Sequence, residues 1–166
     1  MTGPKVVGRG TAQVLGGRTA HRDANGDGLG EYYSMTTGGK FAAHRIGATG
    51  GDWSSSPWDP ATRFIPFGDM DGDGCDDMLL RSTDGRLWRY GGTGQGTFKP
   101  RHLLFEDWGA GRIEIIGVGD ISGDGVPDLL SRDTNGKLLR NKGDGKGSFG
   151  ATLTIATGWQ NYRSLY

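Results

Sequence analysis

Short apolar stretches separated by glycine-rich turns recur along the chain. The stretch 77–81 has Met-Leu-Leu at its centre, and the turn Asp84-Gly85 joins it to a second stretch, 86–90. Two such stretches joined by Asp-Gly are typical of a β-hairpin, because these residues tolerate the positive φ of a tight turn. No convincing amphipathic helix is visible, and 33 of the 166 residues are glycine. The pattern predicts an all-β fold.

This hairpin pattern is part of an internal repeat. Residues 69–108 align without a gap to residues 120–159 and share about sixteen identities, which gives a period of about 51 residues. Beyond the hairpin, further strands are predicted at 102–105, 113–118 and 152–155. Repeats of about 50 residues with four short strands each are typical of β-propeller blades.

A third, atypical copy precedes these two. Its predicted hairpin spans residues 31–41, and an insertion at 54–59 separates it from the next copy. We therefore predict about three four-stranded antiparallel blades in a single repeat domain, 1–166, with repeats at about 12–58, 59–109 and 110–160. Three blades do not close a ring, which leaves strand faces unburied. Blades outside this sequence, a homo-oligomer that completes the ring, and a compact three-blade module are all open alternatives.

Each copy also contains an acidic loop of nine residues. Oxygen-bearing side chains stand at loop positions 1, 3, 5 and 9, and glycine stands at positions 4 and 6. Ca²⁺ binds six to eight oxygens from carboxylates and backbone carbonyls, so position 7 would contribute its carbonyl. The loops predict up to three calcium sites. Their ligands would be Asp23, Asn25, Asp27, Leu29 and Glu31 in the first loop, Asp69, Asp71, Asp73, Cys75 and Asp77 in the second, and Asp120, Ser122, Asp124, Val126 and Asp128 in the third.

Two other interpretations of these loops are less favourable. An EF-hand needs Glu at position 12, where this chain has Ser34, Leu80 and Ser131. Simple surface turns would also be rich in Asp, Asn and Gly, but clustered carboxylates in three matching loops repel one another unless a cation lies among them. The second loop has four carboxylates and should bind calcium most tightly, since Asn25 and Ser122 each remove one charge.

Charge and composition restrict the partners. The 19 basic and 19 acidic residues balance, and bound calcium would make the surface net basic. The basic residues are spread along the repeats, which disfavours nucleic-acid binding. No apolar run approaches the roughly 20 residues that span a bilayer, so membrane insertion is not expected. The single cysteine, Cys75, excludes an internal disulfide. The N-terminus lacks an apolar signal segment, so either the start is a processed or recombinant one, which we favour, or the protein is not secreted by the usual route. Calcium loops of this kind suit the millimolar calcium outside the cell, and we expect an extracellular protein.

Aromatic residues provide the best indication of a ligand. No catalytic motif is apparent around the three histidines, so we expect no enzymatic activity. Indole rings can stack on sugars, which makes Trp53, Trp58, Trp108 and Trp159 candidate ligand-binding residues. The alternative is that the equivalent residues Trp108 and Trp159 pack blade against blade. Trp53 and Trp58, in or beside the insertion, are expected to be exposed.

The repeats resemble the FG-GAP and VCBS calcium-binding repeats of integrin-α-type β-propellers, including bacterial secreted ones. The matching segments are 68–80, 119–130 and 141–150. The first copy departs from the pattern, with His21-Arg22 where Gly-Asp is usual and Glu31 in place of the closing Asp. The resemblance implies a ring of usually seven blades. It also implies a non-catalytic module that binds a glycan or a cell-surface protein, or else an accessory domain of a larger extracellular hydrolase or toxin in which calcium is purely structural.

Overall fold

The structure, a computed structural model, is all-β. It describes residues 63–95, 97–109 and 111–165, together with the backbone of four earlier strands. The strands are β1 (Gln13–Val14), β2 (Glu31–Met35), β3 (Phe41–Arg45), β4 (Trp53–Ser55), β5 (Arg63–Pro66), β6 (Met78–Arg81), β7 (Leu87–Tyr90), β8 (His102–Phe105), β9 (Arg112–Gly117), β10 (Leu129–Asp133), β11 (Leu138–Gly143) and β12 (Phe149–Ala156), and a 3-10 helix spans Trp159–Asn161. No helix in the described part of the chain is long and apolar enough to span a membrane.

Two four-stranded antiparallel meanders make up the fully described part of the fold. Their strand orders are β5-β6-β7-β8, here called blade A, and β9-β10-β11-β12, here called blade B. Both sheets are consistent with propeller blades. The structure thus describes two complete blades rather than the predicted three. Strands β1 to β4 also pair in sequence order, but their connections and side chains lie outside the described residues, and the blade predicted for 12–58 stays a prediction.

The hairpin prediction is confirmed in both blades. Met78 pairs with Tyr90 across β6 and β7, and Gly85 in the connecting turn has a φ of 88°. This left-handed conformation carries little steric penalty for glycine, which explains the Asp-Gly signal in the sequence.

One strand is longer than predicted. Strand β12 begins at Phe149 instead of residue 152, because Phe149 pairs with Gly143 and extends the ladder into the glycine-rich bend. In blade A the equivalent pair, Gly92 and Phe98, is an isolated bridge. Pro100, which has no N–H to donate, stands where Ala151 continues β12.

The core lies between the two blades. Blade A and the loops after its strands contribute buried residues, and Ile115, Leu129 and Phe149 of blade B pack against them. The ring of Phe67, which is fully buried, meets that of Phe149 edge-on at a centroid distance of 5.4 Å. Burying a side chain of this size contributes about 1.5–3 kcal/mol to stability. The interface therefore fixes the loops of one blade relative to those of the next.

Candidate metal centre

The second acidic loop connects β5 to β6 and is closed at its base by backbone hydrogen bonds. Phe67 donates to the carbonyl of Asp77 at 3.0 Å, and Asp77 donates to that of Gly68 at 3.2 Å. Within the loop, Gly72 and Gly74 have φ angles of 77° and 84°. These are the glycines at loop positions 4 and 6, and their left-handed backbone lets the chain fold around the first aspartate.

The aspartate at loop position 1 organises the backbone. The Asp69 carboxylate accepts hydrogen bonds from the N–H groups of Gly72 at 2.7 Å, Asp73 at 3.1 Å and Gly74 at 2.8 Å. Asp120 does the same in the third loop, where the N–H groups of Gly125 and Gly123 each donate at 2.6 Å. These bonds to the charged form lower the pKa of Asp120. Both loops are therefore preshaped around the carboxylate at position 1.

Three carboxylates of the second loop converge. Oxygens of Asp69, Asp71 and Asp77 lie within 4.8 Å of one another, so this cluster could hold a metal ion. Oδ1 of Asp71 is buried and has no hydrogen-bond partner among the described residues. A buried acceptor without a partner is costly, and a bound cation would satisfy it. The donor set, made of carboxylates, suits a hard cation.

The third loop brings loop positions 1, 3 and 5 together with one charge fewer. The hydroxyl of Ser122 lies 3.2 Å from Oδ1 of Asp120 and 2.8 Å from Oδ1 of Asp124. Because Ser122 replaces the carboxylate at position 3, positions 1, 3 and 9 of the described third loop contain two acidic groups and form no cluster of three. The carbonyls of Cys75 and Val126 at position 7 stay predicted ligands, and Cys75 itself is a free thiol.

The aspartate at position 9 has a structural role that the sequence did not reveal. Asp77 is 2% exposed and accepts hydrogen bonds from the N–H groups of Met70 at 3.1 Å and Gly92 at 3.0 Å. Burial raises the pKa of Asp77 to about 6, against the effect of these bonds. Asp128 accepts equivalent bonds from Ile121 and Gly143 at 3.1 and 3.2 Å. Each closing aspartate thus fastens its loop to the hairpin that follows.

Basic side chains neutralise the carboxylates of the second loop. A guanidinium nitrogen of Arg89 donates to Asp71, and Nε of Arg89 lies 3.2 Å from Oδ2 of Asp77. The ammonium group of Lys99 donates to Asp73 and lowers the pKa of that carboxyl. These pairs join residues that are 18 and 26 positions apart. A short sequence motif therefore does not predict them.

A lysine has the same role in the third loop. Nζ of Lys142 lies 2.9 Å from Oδ2 of Asp124 and lowers the pKa of that carboxyl to about 2. The position 5 aspartates of the two loops are thus both paired with lysine, but the lysines come from non-equivalent positions of the repeat.

The first loop lies largely outside the described residues. Nothing is described of Asp23, Asn25, Asp27 and Leu29, and Glu31 is described only as the first backbone position of β2. A calcium site in that loop stays a prediction.

The four candidate tryptophans differ in their burial and in how much of them the structure describes. Trp108 is 5% exposed and belongs to the core between the blades. Its ring lies 4.7 Å from that of Phe105, and the guanidinium of Arg112 covers it at 4.5 Å. The prediction that Trp108 offers its face to a ligand is therefore wrong, because blade B packs over it.

Trp159, at the equivalent position of blade B, is half-buried and lies 4.7 Å from the ring of Tyr162. Trp58 lies outside the described residues, and Trp53 is described only as the first backbone position of β4. For these three tryptophans the ligand-binding prediction stands as made.

Comparison with known families identifies the repeat that carries the carboxylate cluster. Residues 69–131 match the FG-GAP-like repeat. This segment runs from the first ligand of the second loop to the first half of β10 and includes the third loop. The chain therefore contains an FG-GAP-like repeat, as its sequence resemblance implied.

A solved structure gives a likeness of fold. It is that of an Agrocybe aegerita lectin that specifically recognises non-reducing terminal N-acetylglucosamine, and its TM-score is 0.57 at 22% sequence identity. The match covers 89% of this chain but only 38% of the length of the lectin. No curated protein matches the chain.

Proposed function

We propose that this protein is a non-catalytic recognition module that binds calcium and, through its blades, carbohydrate. The observation that carries the proposal is the cluster of Asp69, Asp71 and Asp77, with the unpartnered buried oxygen of Asp71 among them. Carboxylates in a glycine-turned loop are the ligands that Ca²⁺ takes, supplemented by carbonyls. The homologous spacing extends the proposal to the third loop and to the first, for up to three ions.

Calcium would stiffen the recognition surface. The second loop is fastened to its hairpin by Asp77 and to the bend of blade B by a hydrogen bond of 2.9 Å from Gly147 to the carbonyl of Met70. An ion bound in the loop would hold these connections in place. Calcium loops of extracellular modules bind in the range of about 10⁻⁴–10⁻³ M, and we place the protein outside the cell on this basis.

The carbohydrate part of the proposal is supported by the FG-GAP-like repeat and by the lectin fold likeness. The alternative is a structural or protein-binding domain of a larger extracellular hydrolase or toxin. It is favoured by the tether of each loop to its own hairpin, because a cation would then stabilise the blade whatever the surface binds.

A glycan array in calcium and in chelator separates the two. Binding of a defined sugar that is lost on chelation, and lost in Asp71→Asn, supports the recognition module. The matched control is Glu106→Gln, which changes an exposed carboxylate outside the loops. If circular dichroism shows that the protein is folded and the array shows no glycan binding, the carbohydrate function is contradicted and the accessory domain is favoured.

A further inference from the structure

A cleft opens between the two blades, beside the second acidic loop. Its volume is about 370 Å³, which is within the range of roughly 300–1,000 Å³ of small-ligand pockets. Blade A contributes strands β7 and β8 with the link between them, and blade B contributes the bend at Lys146 and Ser148. The cleft therefore exists only where the blades meet.

The cleft is basic. Arg89, Lys99, His102 and Lys146 line it, and none of its described lining residues is acidic. Lys146 and His102 are exposed and make no ion pair with any described residue. Pro100 and Leu104 add apolar surface to the same wall. A sugar ring could lie against this apolar surface while an acidic substituent meets the basic side chains.

Two of these basic residues also belong to the acidic loop. Arg89 contacts Asp71 and Asp77, and Lys99 contacts Asp73, while both line the cleft. A cation bound by Asp71 and Asp77, with Asp73 as a further predicted ligand, would compete with Arg89 and Lys99 for these carboxylates. It would thereby leave both basic groups without their counter-charges at the wall of the cleft.

We propose that this cleft binds the anionic group of an acidic glycan, and that a cation in the second loop raises the affinity by releasing Arg89 and Lys99 to the ligand. The proposal rests on the proposed carbohydrate function and specifies its substrate class. The shared chemistry is a carboxylate or a sulfate ester on a sugar ring. Because linkage is reciprocal, the acidic sugar must raise the affinity of the loop for calcium by the same factor.

The test compares ligands of matched shape. Glucose, glucuronic acid, glucose 6-sulfate and inorganic sulfate are titrated into the full chain in saturating calcium and in chelator, and amide chemical shifts report binding. In calcium we expect both acidic sugars to bind at least about fivefold tighter than glucose, and chelation to reduce that affinity by about fivefold or more, the lower end of typical coupling. Circular dichroism checks that the chelated protein is folded.

Two lysines of blade B provide matched variants. Lys146→Ala removes an exposed charge that pairs with no described acidic residue, and it should lower the affinity for both acidic sugars by about fivefold, as expected for the loss of one charge-assisted contact. Lys137→Ala removes an exposed charge at the opposite end of β11, outside the cleft, and should leave the affinity unchanged.

The outcomes separate this inference from the proposed function. The acidic-glycan site would be overturned if glucose bound as tightly as the acidic sugars, or if the Lys146→Ala variant bound the acidic sugars as tightly as the wild type does. Either result would leave a neutral-sugar module intact. Equal affinity for inorganic sulfate and glucose 6-sulfate would show that the sugar contributes nothing to binding in this cleft. It would overturn the acidic-glycan site, while the glycan array tests the proposed carbohydrate function separately. If the acidic sugars bind tightly and chelation does not change their affinity, the coupling through Arg89 and Lys99 is overturned.

Discussion

The buried carboxylate of Asp77 accepts a hydrogen bond of 3.0 Å from the backbone N–H of Gly92, and so the acidic loop is fastened to the link that follows its own hairpin. The approach is close: a Cβ on residue 92 would clash with the backbone carbonyl oxygen of Asp76. Asp128 and Gly143 repeat the arrangement at 3.2 Å. Residue 92 must therefore be glycine for steric reasons.

Removing the carboxylate of Asp77, which fastens the loop, should destabilise the protein even when no metal is bound. Asp77→Ala leaves the N–H groups of Met70 and Gly92 unpaired, and each buried unpaired donor costs about 1–3 kcal/mol. We expect the free energy of unfolding, measured by urea denaturation in chelator, to fall by about 3 kcal/mol. Glu106→Ala, which removes one exposed ion pair, should cost less than about 1 kcal/mol. Equal losses in the two variants would refute the tether.

Replacing the glycine should test the same contact from the other side. Gly92→Ala forces the loop and the link apart, and overpacking of this kind costs about 1–3 kcal/mol. The control is Gly150→Ala, since the nearest atom to a Cβ there, the carbonyl oxygen of Lys142, lies 3.7 Å away. Thermal unfolding in chelator should show a lower melting temperature for the first variant and little change for the second. A tolerated Gly92→Ala would mean that the link can move away from Asp76.

The two equivalent tryptophans should differ in their contribution to stability. Trp108→Ala leaves a cavity between the blades, next to Phe105 and Phe149, and should cost about 3–5 kcal/mol. Trp159→Ala removes a half-buried ring and should cost clearly less. Urea denaturation measures the free energy of unfolding of both variants. A larger loss for Trp159→Ala would show that packing between the blades is not the main source of stability.

Calcium should stabilise the protein by mass action. Each proposed site would contribute about 2.7 kcal/mol at a hundredfold excess of calcium over its dissociation constant. Asp73→Ala should reduce the calcium-dependent rise in melting temperature more than Asp124→Ala does, because the second loop has the cluster of three carboxylates. Scanning calorimetry with and without chelator measures the difference. Equal effects of the two substitutions would show that the hydroxyl of Ser122 is as good a ligand for the ion as the carboxylate of Asp71.

The local features of this fold could be predicted from sequence, since they are encoded within a few residues. The turn at Asp84-Gly85 requires the positive φ that glycine adopts, and the spacing of Asp69, Asp71 and Asp77 places their oxygens in one loop.

What the sequence did not reveal depends on distant parts of the chain. The burial of Trp108 requires blade B, and the pair of Arg89 with Asp71 requires β7 to pass beside the loop. The basic cleft was missed for the same reason, because its wall is divided between two copies of the repeat. Local spacing contains no information about such contacts.

The repetition of the tether from blade to blade also bears on how the repeat can evolve. Because each closing aspartate is hydrogen-bonded within its own blade, the side chain at loop position 3 can change, as from Asp71 to Ser122, without removing the bonds that close its loop. If the loops bind calcium as proposed, blades that differ at this position would differ in their affinity for the ion. A duplicated blade could thus retain its closed loop while the calcium concentration at which that loop becomes rigid is changed by a single side chain.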